Sequence, residues 1–309
     1  MNQARYPQGM ERLETRELAY FIAVAEELHF GRAAARLGIA QPPLSRAIKQ
    51  LEHRLGVTLL DRDSRRVLLT EAGEVFLHEG RKAMDAVAAS ARRAQRAGQP
   101  VRRLVLVMKP ISDGGLLGDI LSRYEQEAEA IPVEVLLCGV AEQAVWLREG
   151  RADVGLLHAP HDDFSGFDVE ELFVEGQVVV LPRTHRLADR ETLHLADLEG
   201  ETLPRLRGQD DTTATGPVVQ DSTQLLQMIA LERTIAVLPA SASHYLRREL
   251  VCVPLVDAAP ITAALAWPER STSRALAAFV RVAAEIAEKH RHGTSMDTPV
   301  RSARATPQS

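Results

Sequence analysis

Residues 18–73 read LAYFIAVAEELHFGRAAARLGIAQPPLSRAIKQLEHRLGVTLLDRDSRRVLLTEAG, and nearly every position in the run has a place in one local plan. Leu18, Phe21, Ile22, Ala25 and Leu28 recur at helical spacing and predict a first helix. GRAAARL (31–37) is a short second helix, and Gly38 with Ile39 supplies the turn after it. QPPLSRAIKQLEHRLG (41–56) is a third helix, opened by Pro42 and Pro43 where a missing N–H costs nothing. Along it Leu44, Ile48, Leu51 and Leu55 step by four, three and four, a stripe to be buried. Pro42, Ser45, Arg46 and Lys49 fall on another face, short and polar enough to enter a DNA major groove. LLDRDSRRVLLT (59–70) then has two apolar β-like runs around a basic tip at Arg62, Arg65 and Arg66. Together these elements describe a winged helix-turn-helix, mainly α, over residues 15–70. The expected DNA contacts are Arg32, Gln41, Pro42, Ser45, Arg46, Lys49, Arg62, Arg65 and Arg66, with Gln41 and Ser45 reading bases and Arg65 and Arg66 touching backbone or minor groove. A plain three-helix bundle with solvated charges is the bland alternative. The ordered arrival of turn, stripe, polar face and basic hairpin argues against it.

The run from Phe21 to Gly73 closely resembles the N-terminal domain of LysR-type transcriptional regulators. The resemblance extends over about residues 15–288, tightly in the first third and loosely afterwards. It implies a bacterial dimer or tetramer in which a long linker helix joins the DNA-binding head to an effector-binding domain. That domain would be a two-lobed α/β body resembling a periplasmic binding protein.

Bulk properties agree with such a division. The 309 residues suit two or three domains, and 45% apolar content supports sizeable cores. The net charge of −5 hides a split: residues 1–103 hold 18 basic against 12 acidic residues, a net of +6, and residues 104–309 hold 19 against 30, a net of −11. A positive head on an acidic body fits phosphate contact by the head alone. Cys138 and Cys252 sit in the apolar runs EVLLCGV and LVCVPL and read as core residues of a reducing compartment. A redox-sensing pair is the sharper alternative, and neither thiol has a basic sequence neighbour to lower its pKa. Neither a secretion signal nor a membrane-length apolar run is present, so a cytoplasmic location is expected, with no membrane partner.

Residues 1–14 read as a disordered lead. Thr70 with Glu71 marks the start of a linker and dimerisation helix over 71–98, in which Ala83, Val87, Ser90, Ala94 and Ala97 alternate by four and three. Such small seam residues let two linker helices approach closely. An amphipathic helix lying on its own domain is the alternative. Gly98 and Pro100 end the helix. Strand-like and helical runs alternate from Val101, which predicts an α/β domain over 101–289 with largely parallel sheets. Adding the resemblance, lobe 1 spans about 101–173 and 268–289, and lobe 2 about 174–267. Residues 290–309 read as a disordered tail, and its histidines are a poor metal set.

In open α/β sheets ligands collect beyond the carboxyl ends of strands, at helix N-termini. Three junctions qualify: Lys109, Ser112 and Asp113; Gly139 to Gln143; and Asp221, Ser222 and Thr223. The resemblance places the first and third across the cleft between lobes, which makes them the effector-site candidates, joined by His158 at a strand end. Ser, Thr and Asp before a helix are also ordinary N-caps. Two departures stand out. LERT (231–234) replaces glycines common in the family, and the acids Asp113 and Asp221 stand at the junctions, which puts transfer of a small carboxylate effector in doubt.

Enzyme signatures are missing: no Gly-x-Ser-x-Gly elbow, phosphate loop, dinucleotide fingerprint or paired-histidine zinc motif. A pyridoxal-phosphate fusion would need a longer second half, and a transport solute-binding protein would need an export signal and no helix-turn-helix. The expectation is a sequence-specific DNA-binding regulator modulated by a small molecule between the lobes, without cofactor or metal. Its partners are promoter DNA, the effector and other copies of itself, with RNA polymerase a candidate. The alternative is an architectural DNA binder whose C-terminal domain only oligomerises.

Overall fold

The computed structural model describes residues 13–62, 66–206, 214–269 and 271–294. The chain divides into two compact units, residues 1–93 and 94–309.

In the first unit, α1 (Thr15–Glu27), α2 (Phe30–Leu37) and α3 (Gln41–Leu55) precede a hairpin of β1 (Leu60–Arg62) and β2 (Val67–Leu69), and α4 (Glu71–Ala97) follows. Phe21, Val24, Leu44, Ile48 and Leu51 are fully buried in its core, and Phe76 of α4 meets Phe21 edge to face at 5.0 Å. Leu55, expected in the stripe, is 40% exposed because α3 has reached its last turn, and Leu28 is 43% exposed at the left-handed end of α1. Gly38 takes φ +67 at the turn, a backbone state that costs glycine nothing. Thr70 caps α4: its hydroxyl accepts from Gly73 N at 3.0 Å and donates to Thr58 O. Gly73 has a packing reason too, since a Cβ there would stand 2.1 Å from Leu59 O.

The second unit holds two sheets. The larger has the order β4 (Val133–Leu137), β3 (Leu104–Met108), β5 (Val154–Ala159), β12 (Ile261–Pro268), β6 (Phe167–Glu175). The smaller has the order β10 (Ala236–Pro239), β7 (Gln177–Pro182), β11 (Leu250–Leu255), and a short parallel pair joins β8 (Arg205–Leu206) to β9 (Val218–Val219). Parallel pairing in the larger sheet is confined to β3 with β4 and β5. β12 runs antiparallel to both its neighbours, and the smaller sheet is wholly antiparallel. α5 (Leu117–Tyr124) and α8 (Arg274–Thr294) pack one face of the larger sheet, with Tyr124 and Phe279 edge to face at 5.3 Å. α6 (Gln143–Arg148) covers the other face through Leu147, and α7 (Ser222–Ala230) packs Leu225 and Ile229 against β7.

Four expectations change here. The two main sheets are mostly antiparallel rather than largely parallel, because β12 and β6 run against their neighbours and β7 is flanked by two opposed strands. AALAW (263–267) belongs to β12 in the larger sheet, so the return from lobe 2 falls before Ile261 rather than at 268. β6 was not expected at all. α8 runs to Thr294, past the expected end at 289. Most of the expected lead, Arg65 at the wing tip, and the tail from residue 295 lie outside the described residues.

Candidate DNA interface and interlobe cavity

On α3, Gln41, Pro42, Arg46 and Lys49 are exposed and Ser45 is half-buried beside Leu44 and Ile48 of the core. Neither Arg46 nor Lys49 forms an ion pair among the described residues, so both cations are available to a ligand. Arg66, beside the wing tip, is exposed. Two other expected contacts are engaged within the fold. Arg62 pairs with Glu52 at 2.7 Å and lies over the Phe30 ring at 4.8 Å, while Glu52 also accepts from Leu59 N and Leu60 N. The Arg62 guanidinium therefore fastens the hairpin to α3 instead of extending its tip. Arg32 pairs with Glu27 at 3.1 Å and donates to the Glu27 carbonyl, closing the α1–α2 corner. Glu52 carried no sequence signal, because its partners come seven to ten residues later.

Along α4 the seam residues Ala83, Val87, Ser90 and Ala94 are all exposed, Val87 by 48%. The Ser90 hydroxyl donates back to Ala86 O, so it leaves no free donor on that face. At the end of α4, Arg96 donates to Gly150 O and pairs with Asp153 at 2.7 Å, and Asp153 accepts from Val105 N.

Between the two sheets of the second unit lies a cavity of ≈ 630 Å³. Pro110, Gly139, Glu142 and Trp146 wall it from the larger lobe, and Gln220, Asp221 and Thr223 from the smaller. An adjoining hollow of ≈ 580 Å³ shares Asp221 and Thr223 and adds Ile111, Gln227 and Arg247. In the wall of the first cavity Val140 N donates to Gln220 O at 3.4 Å, and a Cβ on Gly139 would stand 2.8 Å from that same carbonyl. Asp221 caps α7 by accepting from Gln224 N at 2.8 Å, with half-buried Ser222 as the first helical residue. Thr223 is exposed to the cavity.

The first junction behaves differently from expectation. Ser112 is 6% exposed and donates to Lys109 O at 2.7 Å. His158 is 2% exposed and its Nε2 meets Ser112 O at 3.0 Å. Lys109 pairs with buried Asp162 at 3.1 Å, and Asp162 also accepts from His158 N. Burial, and then the Lys109 charge, push the His158 pKa down to about 4, so the ring is neutral near pH 7. Lys109, Ser112 and His158 thus form a buried bracket behind the cavity, closed by an acid 53 residues downstream of Lys109. Asp113 is also engaged, accepting from Leu117 N and from Tyr245 Oη. The second junction, by contrast, lines the cavity directly. Burial, and then the Glu142 charge, lift the Cys138 thiol to about 12, and burial lifts Cys252 to about 11, so neither is a ready thiolate.

The description of the bacterial regulatory helix-turn-helix protein, lysR family, matches residues 15–74, and that of the LysR substrate binding domain matches residues 97–288. The chain belongs to the LysR family. It is a DNA-binding transcriptional regulator with an effector-binding domain. HcaR, the Hca operon transcriptional activator of Escherichia coli (strain K12), is 31% identical over 88% of this chain and 98% of its own. The transcriptional regulator AlsR of Bacillus subtilis (strain 168) is 38% identical over 62% of this chain and 63% of its own. The solved structure of the LysR family regulator CbnR covers 89% of this chain and 99% of its own at 24% identity and a TM-score of 0.53, a likeness of fold. Among the described residues of this LysR-type regulator, no helix is long and apolar enough to cross a membrane and no three metal-ligating side chains cluster.

Proposed function

We propose that this regulator reads promoter DNA with the exposed face of α3, through Gln41, Ser45, Arg46 and Lys49, and is switched by a small molecule held in the interlobe cavity. The cavity walled by both lobes carries this reading: a molecule touching Trp146 on one side and Thr223 on the other biases the lobes by its differential affinity for their arrangements. In this reading the exposed seam of α4 pairs two copies, the protein acts in the cytoplasm and performs no catalysis. RNA polymerase is a further contact. An architectural DNA binder would have no use for such a cavity. The test is fluorescence anisotropy of labelled promoter DNA, with and without candidate effectors, for the wild type and for Thr223→Trp, which fills the cavity. A response that Thr223→Trp abolishes supports the reading. A response left whole by it refutes the cavity as the effector site.

A further inference from the structure

The interlobe cavity has an unusual charge balance for a site at helix N-termini. Among the described residues, Glu142 and Asp221 are the only charged ones that line it, and Arg247, in the adjoining hollow that shares Asp221, donates to Gln227 Oε1. The nearest cation in sequence, Lys109, is taken by Asp162 and does not line the cavity. Arg151 stacks on Trp146 at 3.6 Å, but it pairs with Glu149 and also lies outside the lining. An α/β cleft ordinarily favours an anion because free N–H groups at a helix start point into it. Here Asp221 holds that place on α7, accepting from Gln224 N at 2.8 Å, and Glu142 accepts from Gly139 N, in the loop before α6, at 2.9 Å. Each acid keeps a second oxygen without a hydrogen-bond partner among the described residues. An entering carboxylate would meet two like charges and no cation among the described residues of the lining. An entering cation would meet two acceptors able to form charge-assisted hydrogen bonds. The rest of the wall is largely apolar, with Pro110, Leu137, Val140 and Trp146.

Resting on the cavity as the effector site, we infer that its ligand is a small organic cation, an ammonium or guanidinium on an apolar body, and not a carboxylate. The volume of ≈ 630 Å³ suits such a molecule. The acids select the charge, and Trp146 with its apolar neighbours holds the body.

The experiment is calorimetric titration of the full-length protein with a panel of primary ammonium and guanidinium ions, from ethylammonium through 2-phenylethylammonium and putrescine to agmatine. Carboxylates of matched shape, including 3-phenylpropionate for 2-phenylethylammonium, form the second arm. Wild type is compared with Glu142→Gln and Asp221→Asn, the latter keeping a side chain able to cap α7. At least one cation is expected to bind better than its matched carboxylate, and the double variant to weaken it by about tenfold at an unchanged unfolding temperature. Tighter carboxylate binding, no cation binding at millimolar concentration, or cation affinity indifferent to both substitutions would each overturn the inference. A carboxylate that alters DNA affinity in a way that Thr223→Trp blocks would leave the cavity as effector site and end only the charge assignment. A DNA response that survives Thr223→Trp would end both.

Discussion

Tyr245 donates its phenolic hydrogen to Asp113 Oδ1 at 2.7 Å, joining the smaller lobe to the loop before α5 across 132 positions of chain. Asp113 is held at the same time by Leu117 N at 3.3 Å, so the acceptor is fixed before the tyrosine arrives. Burial and the Asp113 carboxylate lift the Tyr245 hydroxyl to about 12, which keeps the donor protonated at any physiological pH. Tyr245→Phe is expected to cost only about 1 kcal/mol of stability, since the ring is 39% exposed. Its larger effect is expected on the lobes, as faster hydrogen exchange at Val140 N–H, which also bonds across the lobes. Unchanged exchange there would show that the tyrosine is not holding the lobes together.

Arg46 and Arg62 are expected to separate recognition from stability. Arg46→Ala and Lys49→Ala remove unpaired surface cations and are expected to leave unfolding unchanged while weakening DNA binding. A lost phosphate contact would also flatten the salt dependence by about one unit of slope. Arg62→Ala strips Glu52 of its partner inside the fold and is expected to lower stability by roughly 1–3 kcal/mol. Denaturant unfolding beside anisotropy at several salt concentrations tells the two classes apart.

Two helical glycines should answer oppositely to alanine. At Gly73 the added Cβ lands 2.1 Å from Leu59 O, backbone that cannot yield cheaply, and a loss of about 3 kcal/mol is expected. At Gly118 in α5 nothing lies within 4 Å, so Gly118→Ala is expected to stabilise by up to about 1 kcal/mol. Thermal unfolding of both variants settles the contrast.

The buried bracket makes stability sensitive to mild acid. His158 takes up its proton near pH 6.5 when unfolded but only near pH 4 when folded. Between those values the unfolded state binds the extra proton, so stability falls as pH falls, by at most about 1.4 kcal/mol per pH unit from this site. Above pH 6.5 the contribution is flat. His158→Gln is expected to reduce the slope in that window, as read by denaturant unfolding at pH 4.5 to 7. A slope unchanged by the substitution would assign the acid sensitivity to other groups.

The seam on α4 predicts that Val87→Glu or Ala94→Glu weakens self-association, because each would bury a charge between paired helices. Sedimentation equilibrium measures it. Dimers of undiminished affinity in both variants would place the contact elsewhere.

The sequence made the DNA-binding head legible because its contacts are local: Gly38 turns the chain, and Leu44, Ile48 and Leu51 repeat at helical spacing. The lobes were less legible for a physical reason. AALAW has the composition of a buried strand, but composition does not say which of two sheets a strand joins. In FDVEELFVE (167–175) the acids stand on an edge strand that water reaches, which masks its β character. Lys109 and His158 pointed toward a ligand site until Asp162 was seen between them, a partner chosen by tertiary packing. Glu142 falls within the second junction, Gly139 to Gln143, which the resemblance does not set across the cleft, and Trp146, which also lines the cavity, sits on a short helix whose spacing matches no motif.

Gly139 is the spacer of the cleft. The lobes meet there main chain to main chain, Val140 N to Gln220 O at 3.4 Å. Any side chain at 139 would bring a Cβ to 2.8 Å from that carbonyl and act as a shim, holding the cleft open at that point whatever the cavity contains.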